Sequence, residues 1–335
     1  MSNSRRTFLK TSGAAAAAVV AAGVTSSRPA LALPSNPATE AAMPTRNLGK
    51  TGYRVGIFSL GGQAAVEQPD NEAAAVAIVE KALDLGVNYI DTAAQYGGQQ
   101  RWSQRYIGQV MKRRRSQVYL ASKTHDRTRD GSLKLLEESL RLLNTDHLDA
   151  WQLHHITTQE DVDRIFAKGG AIEALQQARE QKMVRFLGVT GHTDPDLLLQ
   201  CIERFPFDQI LMALNAADPH HLSFSARLLP TAVEKQMGII GMKIPARGRI
   251  LAGPGSRYYP NPKGTPGTIN MKEALYYVLS QPVSTVIIGC DSVEQLQENI
   301  SLARSFTPLS GQQMASLTAK TESIAEQALF FRRWS

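Results

Sequence analysis

Cysteine is almost absent. The 335 residues contain only Cys201 and Cys290, which rules out a disulfide framework, a cysteine-held iron–sulfur cluster and a structural zinc site. Cys201 reads as mid-helix and Cys290 as just past a strand, so both are expected free. Outside the first 32 residues no stretch reaches the roughly 18 uninterrupted apolar residues of a transmembrane helix, so no integral span is expected in the mature chain. The histidine pairs His154-His155 and His220-His221 are poor metal ligands, because neighbours on a strand face opposite ways; no metal is expected. A large excess of positive charge is also missing from the body. Four of the cations (Arg5, Arg6, Lys10, Arg28) fall in residues 1–32 with no acid, leaving +3 of the formal +7 for the rest, and no nucleic-acid partner is implied. Arg113-Arg114-Arg115 closes a helical stretch, where cations complement the helix dipole.

What is present begins with the amino terminus. Ser4-Arg5-Arg6-Thr7-Phe8-Leu9-Lys10 precedes a mildly apolar, Ala-rich run over 13–24, and Ala30-Leu31-Ala32 then offers a small-x-small cleavage site. That order of basic, apolar and small-residue regions is a secretory signal. The S-R-R-x-F-L-K segment resembles the twin-arginine (Tat) motif at every position. The resemblance implies the Tat export machinery as a partner and a periplasmic destination, with the chain cytoplasmic before export. Residues 1–32 are therefore read as signal, 33–44 (LPSNPATEAAMP) as a linker, and 45–335 as the folded body.

In the body one pattern recurs. Short β-branched or apolar runs at 55–60, 87–91, 118–123, 148–154, 186–190, 209–213, 239–243 and 285–288 predict strands. Helical periodicity fills the gaps at 71–85, 132–143, 171–181, 195–204, 222–235, 271–280 and 293–303. Eight strands alternating with helices predict a parallel sheet, and eight units predict an α/β fold of the closed (β/α)₈ (TIM) barrel type. An open doubly wound sheet would need G-x-G-x-x-G after its first strand, where this chain has Ser59-Leu60-Gly61-Gly62-Gln63. Residues 46–54 (RNLGKTGYR) predict a hairpin plugging the barrel floor. The stretch 248–270 is too long for a simple βα loop and is expected to be functional.

Catalytic groups of such barrels sit at the carboxyl ends of strands. Reading those ends in order gives Asp91, Lys123 and His154, with Tyr96 in the loop after Asp91. Carbonyl reduction needs this set, because hydride arriving at carbon leaves charge on oxygen that a proton donor must meet. A phenol near pKa ~10 is a poor acid, so a neighbouring ammonium is expected to lower it and a carboxylate to hold the ammonium. Strand alternation favours His154 over His155 as the inward imidazole.

Three segments, N-Y-I-D-T-A-A-Q-Y-G (88–97), L-A-S-K-T-H (120–125) and D-H-L-D-A-W-Q-L-H (146–154), resemble successive signatures of the aldo-keto reductases. The likeness extends from about Arg46 to Ala303. It implies an NAD(P)H-dependent reductase of a small aldehyde or ketone. Tyr96 would be the proton donor, Lys123 and Asp91 its tuning partners, and His154 the group orienting the carbonyl. The cofactor implied is NADP(H) ahead of NAD(H), with no metal and no iron–sulfur cluster. Gly188-Val189-Thr190-Gly191-His192 resembles the segment that bonds the nicotinamide amide, pointing to Thr190 and Gly191. Ala213-Leu214-Asn215 points to Asn215. Pro245-Ala246-Arg247-Gly248 resembles the pyrophosphate loop, with Lys243 beside Pro245 and Arg247. Gly289 with Asp291, Gln295, Glu298 and Asn299 resembles the adenosine region. Asp291 stands where the family often has Ser, Lys or Arg for the 2′-phosphate, so its charge opposes NADPH. The alternatives are a non-catalytic nicotinamide-binding barrel serving as redox sensor or partner subunit, and a hydrolase pairing Asp91 with Glu67.

Overall fold

The expected strands close on themselves. In a computed structural model that describes residues 32–253, 256–260 and 265–334, eight parallel strands form a barrel in the order β10-β3-β4-β5-β6-β7-β8-β9. They are β3 (Phe58–Gly61), β4 (Tyr89–Asp91), β5 (Tyr119–Thr124), β6 (Leu148–Leu153), β7 (Val184–Gly191), β8 (Gln209–Ala213), β9 (Gly238–Met242) and β10 (Thr285–Ile288). The apolar runs read as strands because a parallel sheet wrapped by helices is buried on both faces; every residue of β4, β5, β6 and β8 is buried. The Tat-type signal falls on residues 1–31 outside the described set and Ala32, and the folded unit begins at Leu33.

Helices α2 (Glu72–Asp84), α3 (Trp102–Arg114), α4 (Arg129–Leu142), α5 (Gln159–Phe166), α6 (Ala171–Glu180), α7 (Pro195–Arg204), α8 (Leu228–Glu234), α9 (Met271–Leu279) and α10 (Val293–Arg304) cover the outside. Side chains of Thr128, Thr158, Asp194 and Ser292 cap α4, α5, α7 and α10 by accepting backbone N–H groups, which satisfies donors a helix start leaves open. Helix α8 starts six residues later than the periodicity predicts. The Asp218 carboxylate accepts N–H bonds from Phe224 and Ser225 and hydroxyl bonds from Ser223 and Ser225, so residues 218–225 form a loop instead.

Three additions frame the barrel. The predicted hairpin is β1 (Thr45–Asn47) against β2 (Arg54–Gly56), so the run expected as one strand over 55–60 is divided between hairpin and barrel. Leu48, Tyr53 and Val55 of this hairpin pack with Tyr89, Tyr119, Leu211 and Ile240 inside the barrel, closing its floor. Residues 33–44, expected as a linker, carry α1 (Thr39–Ala42) and lie on the body: Asn36 donates to the carbonyls of Leu83 and Val87 at 2.8 and 3.0 Å. Beyond α11 (Gly311–Thr321) and α12 (Ala325–Ala328), the tail 329–334 returns to the barrel mouth. There Arg332 bonds Asp218 at 2.5 Å and the His192 carbonyl at 3.0 Å, both charged side chains being essentially inaccessible.

Candidate active site

Adjacent strands bring the four expected catalytic groups together. Asp91 ends β4, Lys123 lies near the end of β5 and His154 follows β6. The Lys123 ammonium is ion-paired to Asp91 Oδ2, donates to the Thr92 carbonyl at 2.8 Å and lies 3.3 Å from the Tyr96 hydroxyl. The His154 ring meets the Tyr96 ring edge-on, with centroids 5.6 Å apart. Gln152, inward on the same face of β6 as His154, donates to Asp91 Oδ1 at 3.1 Å. Gly188 on β7 makes room for it, since a Cβ there would sit 2.9 Å from Gln152 Cγ.

The electrostatics differ from the expectation in one respect. The phenol of Tyr96 is raised well above its ordinary value: burial comes first, followed by the Asp91 and Glu67 carboxylates, with Arg247 opposing. The Lys123 charge is engaged by Asp91, and burial lowers the ammonium's own pKa. The group beside the mouth is therefore a firmly protonated phenol. His154 is held well below the usual imidazole range by burial and then by Lys123, so it is neutral, with its buried Nδ1 lacking a partner among the described residues.

Further side chains surround the mouth. His155 follows the strand end with φ of 53°, which breaks the alternation that had turned it away. Its ring lies 6.3 Å from that of His154 and stacks on His192 at 4.2 Å. Glu67 accepts hydrogen bonds from Gln63 and from Tyr259 of the loop after β9. The hydrolase pairing has no direct contact behind it, because the Asp91 oxygens are engaged by Lys123 and Gln152.

The expected cofactor residues divide into two groups. Lys243, Pro245 and Arg247 lie in the turn after β9, where Lys243, Ala246 and Arg247 all have positive φ. Such clustered strain in non-glycine residues marks functional sites. Arg247 lies over the Tyr259 ring at 4.2 Å and Arg249 over Phe330 at 3.9 Å, and the buried Nε of each has no acceptor among the described residues. Burial, and next the Arg247 charge, lowers Lys243 to about 7. Gly289 and Asp291 follow β10; Asp291 accepts from Ser256 Oγ at 3.0 Å and Arg257 N at 2.9 Å, and its own N–H donates to Gln295. The rest have structural partners or lie away. Thr190 Oγ1 accepts the His155 N–H, and Gly191 is packed near Leu198 and the Ile156 carbonyl. Asn215 donates to the carbonyls of Lys243 and Ala328, Asn299 donates to Cys290 Sγ, and Glu298 is exposed on α10. Both cysteines are free and buried, their thiols pushed up to about 12.

The sequence model of the aldo/keto reductase family matches residues 54–271. The chain belongs to the aldo/keto reductase family. Among its relatives, L-galactose dehydrogenase of Arabidopsis thaliana is 29% identical over 284 residues, covering 76% of this chain and 86% of that protein. The uncharacterized oxidoreductase YqkF of Bacillus subtilis is 26% identical over 263 residues, covering 68% of this chain and 82% of its own. The holo structure of aldo-keto reductase AKR11C1 from Bacillus halodurans superposes with a TM-score of 0.68 at 24% identity, over 83% of this chain and 96% of that one; this likeness is one of fold. As an aldo/keto reductase the chain is an oxidoreductase of a family that uses nicotinamide cofactors, and no cluster of metal-ligating side chains occurs among its described residues. Residues 2–22 match the twin-arginine translocation signal, which marks the chain for export across the membrane. No helix among the described residues is long and apolar enough to span one.

Proposed function

We propose that this aldo/keto reductase reduces an aldehyde or ketone to the alcohol with NAD(P)H, Tyr96 giving the proton. One observation carries the reading: a phenol lies 3.3 Å from a buried ammonium that is paired to Asp91, with a neutral imidazole edge-on beside it. Lys123 holds the Tyr96 oxygen by a hydrogen bond, and Asp91, fixed in turn by Gln152, holds Lys123. Neutral His154 can donate to the carbonyl oxygen without placing a second positive charge beside Lys123, and with Tyr96 it meets the charge that develops there. As the Tyr96 proton leaves, the nearby ammonium stabilises the phenolate.

The residues present fit a dinucleotide. Arg247 and Arg249 offer buried N–H donors with no acceptor among the described residues, held flat by aromatic rings, as a pyrophosphate requires. Gly289 lets the backbones approach, because a Cβ there would sit 3.1 Å from the Gln63 backbone. When bound, the reduced nicotinamide supplies the hydride. NADP(H) is the proposed cofactor: the Asp291 carboxylate is engaged by the 256–257 backbone and hydroxyl, which moderates its repulsion of a 2′-phosphate, and Arg257 stands beside it. We place the mature enzyme in the periplasm, exported folded through the Tat route; replacing Arg5 and Arg6 with lysine should hold it in the cytoplasm on cell fractionation, and unchanged export would refute that route.

The decisive experiment is Tyr96→Phe. Turnover of a generic aldehyde such as nitrobenzaldehyde should fall by about 10²–10⁴ while nucleotide affinity, read by fluorescence titration, is kept. A variant keeping a tenth or more of wild-type turnover would remove Tyr96 from the mechanism.

A further inference from the structure

We propose that Glu67 is a positioning residue for the proton donor: its carboxylate holds the Tyr96 loop and ties it to the turn that carries Arg247. This rests on the carbonyl-reductase reading above and adds a residue to it. Glu67 closes a short 3₁₀ turn, Ala64–Glu67, that follows β3. The turn touches the Tyr96 loop on one side and the loop after β9 on the other.

The contacts on both sides are close. Gly97, next after Tyr96, has φ of 83°, and a Cβ added there would sit 3.0 Å from the Glu67 carbonyl oxygen. Glycine is what lets the Tyr96 loop come so near in that conformation. From the other side the Tyr259 hydroxyl donates to Glu67 Oε1 and accepts the Ala64 N–H at 3.2 Å. One hydroxyl thus grips both ends of the turn. Ala64 has φ of 59°, a strained conformation that persists only where its surroundings hold it. Gln63 Nε2 donates to the same carboxylate at 3.2 Å, and Arg247 lies over the Tyr259 ring at 4.2 Å. Direct contacts therefore run from Arg247 through Tyr259 and Glu67 to Gly97 and Tyr96.

Spatial continuity alone does not make coupling; charge supplies a second link. After burial and Asp91, Glu67 is the next group that raises the Tyr96 phenol, with Arg247 opposing. Burial raises the Glu67 carboxyl itself, while Gln63, Arg247, Lys243 and the Gly97 N–H favour its charged form. The same carboxylate thus acts on the proton donor and on the cations of the proposed nucleotide turn. Facing the phenol from the neighbouring strands are Asp91, Lys123, 4.7 Å from its ring centroid, and His154.

The test uses full-length mature protein and two substitutions at one position. Glu67→Leu removes both the hold and the charge. Its kcat for nitrobenzaldehyde should fall by about tenfold or more, since small misplacements of a reacting group are costly, while KM stays within about threefold. Glu67→Gln keeps an acceptor oxygen but not the charge, and should restore much of kcat. In the reverse reaction, oxidation of nitrobenzyl alcohol, Tyr96 must take up the proton, and losing a nearby negative charge favours its phenolate. The pH at which oxidation is half-maximal should therefore move downward in Glu67→Gln. A merely structural carboxylate would lower the thermal midpoint and move neither kcat per folded molecule nor that pH. Unchanged kcat per folded molecule in Glu67→Leu, an unmoved pH midpoint in Glu67→Gln, or equal slowing of wild-type and Tyr96→Phe enzyme by Glu67→Leu would overturn the inference and leave the reductase reading intact. If no carbonyl is turned over, or Tyr96→Phe keeps its activity, that reading fails instead. The Tyr96 resonance in protein carrying isotope-labelled tyrosine then decides this one: displacement in Glu67→Gln supports the tie, and an unmoved resonance overturns it.

Discussion

The two ends of the barrel handle polar groups in opposite ways. At the floor every tyrosine has an answer: Tyr53 donates to the Asn88 carbonyl at 2.8 Å, Tyr119 to Gln209 Oε1 at 2.9 Å, and Gln209 donates to Tyr89 at 3.2 Å. At the mouth, buried nitrogens of His125, Arg127, His154, Arg247 and Arg249 have no partner among the described residues. Buried polar groups in folded proteins are nearly always paired. A concentration of unpaired ones at the end where barrel enzymes keep their chemistry is what a site looks like before its ligands complete it. The floor holds the barrel closed, and the mouth reserves its donors.

That contrast can be broken with a pair of variants. Tyr96→Phe should cost the activity loss given above and leave the thermal midpoint of the ligand-free protein within a degree or two. Leu48→Ala, which empties a fully buried position in the floor hairpin, should destabilise by about 2–5 kcal/mol while folded molecules keep their turnover. If the floor variant lowers turnover per folded molecule as far as the mouth variant does, the division of labour is wrong. A smaller effect is expected at Asp291. Asp291→Ser removes a carboxylate from the adenosine side and should tighten NADPH relative to NADH by about tenfold, one pKa unit's worth of free energy. Equal changes for both nucleotides would show that this carboxylate only anchors Ser256 and Arg257.

The smallest effect sharpens the account of the mouth's charge. Folded Lys243 titrates at about 7 against an ordinary 10.5. Between those values the unfolded chain binds the extra proton, so this lysine makes the ligand-free protein gain stability as pH rises through that window. A phosphate or other anion nearby favours the charged amine. Nucleotide binding at pH 8 should therefore take up a fraction of a proton, seen as a difference in calorimetric heat between two buffers of unlike ionisation enthalpy. Lys243→Met should abolish the difference; identical heats for the wild type in both buffers would place Lys243 away from the bound anion.

Much of this was readable in the linear sequence. The strands at 209–213 and 285–288 lie where their apolar runs put them, and the floor hairpin followed from two glycine turns ahead of the first strand. Gln152 and His154 share a face by simple alternation. Reading failed where a residue leaves regular structure. Alternation assigns His155 outward, yet the strand ends at Leu153 and the positive φ of His155 turns its own ring back toward the mouth. Residues 33–44 looked like a linker because small residues and prolines carry no periodicity, whereas Asn36 finds its acceptors on Leu83 and Val87, 47 and 51 residues away.

The sequence alone determined the barrel, the family and the identity of the four groups at its mouth, because periodicity and short motifs are local and survive without a third dimension. The tertiary structure decided the direction of the Tyr96 shift, the stacking of His155 on His192, and the return of the tail that pins His192 through Arg332 and Phe331. Each of these depends on burial or on contacts between residues tens to hundreds of positions apart, and distance in space is the one quantity a sequence does not carry.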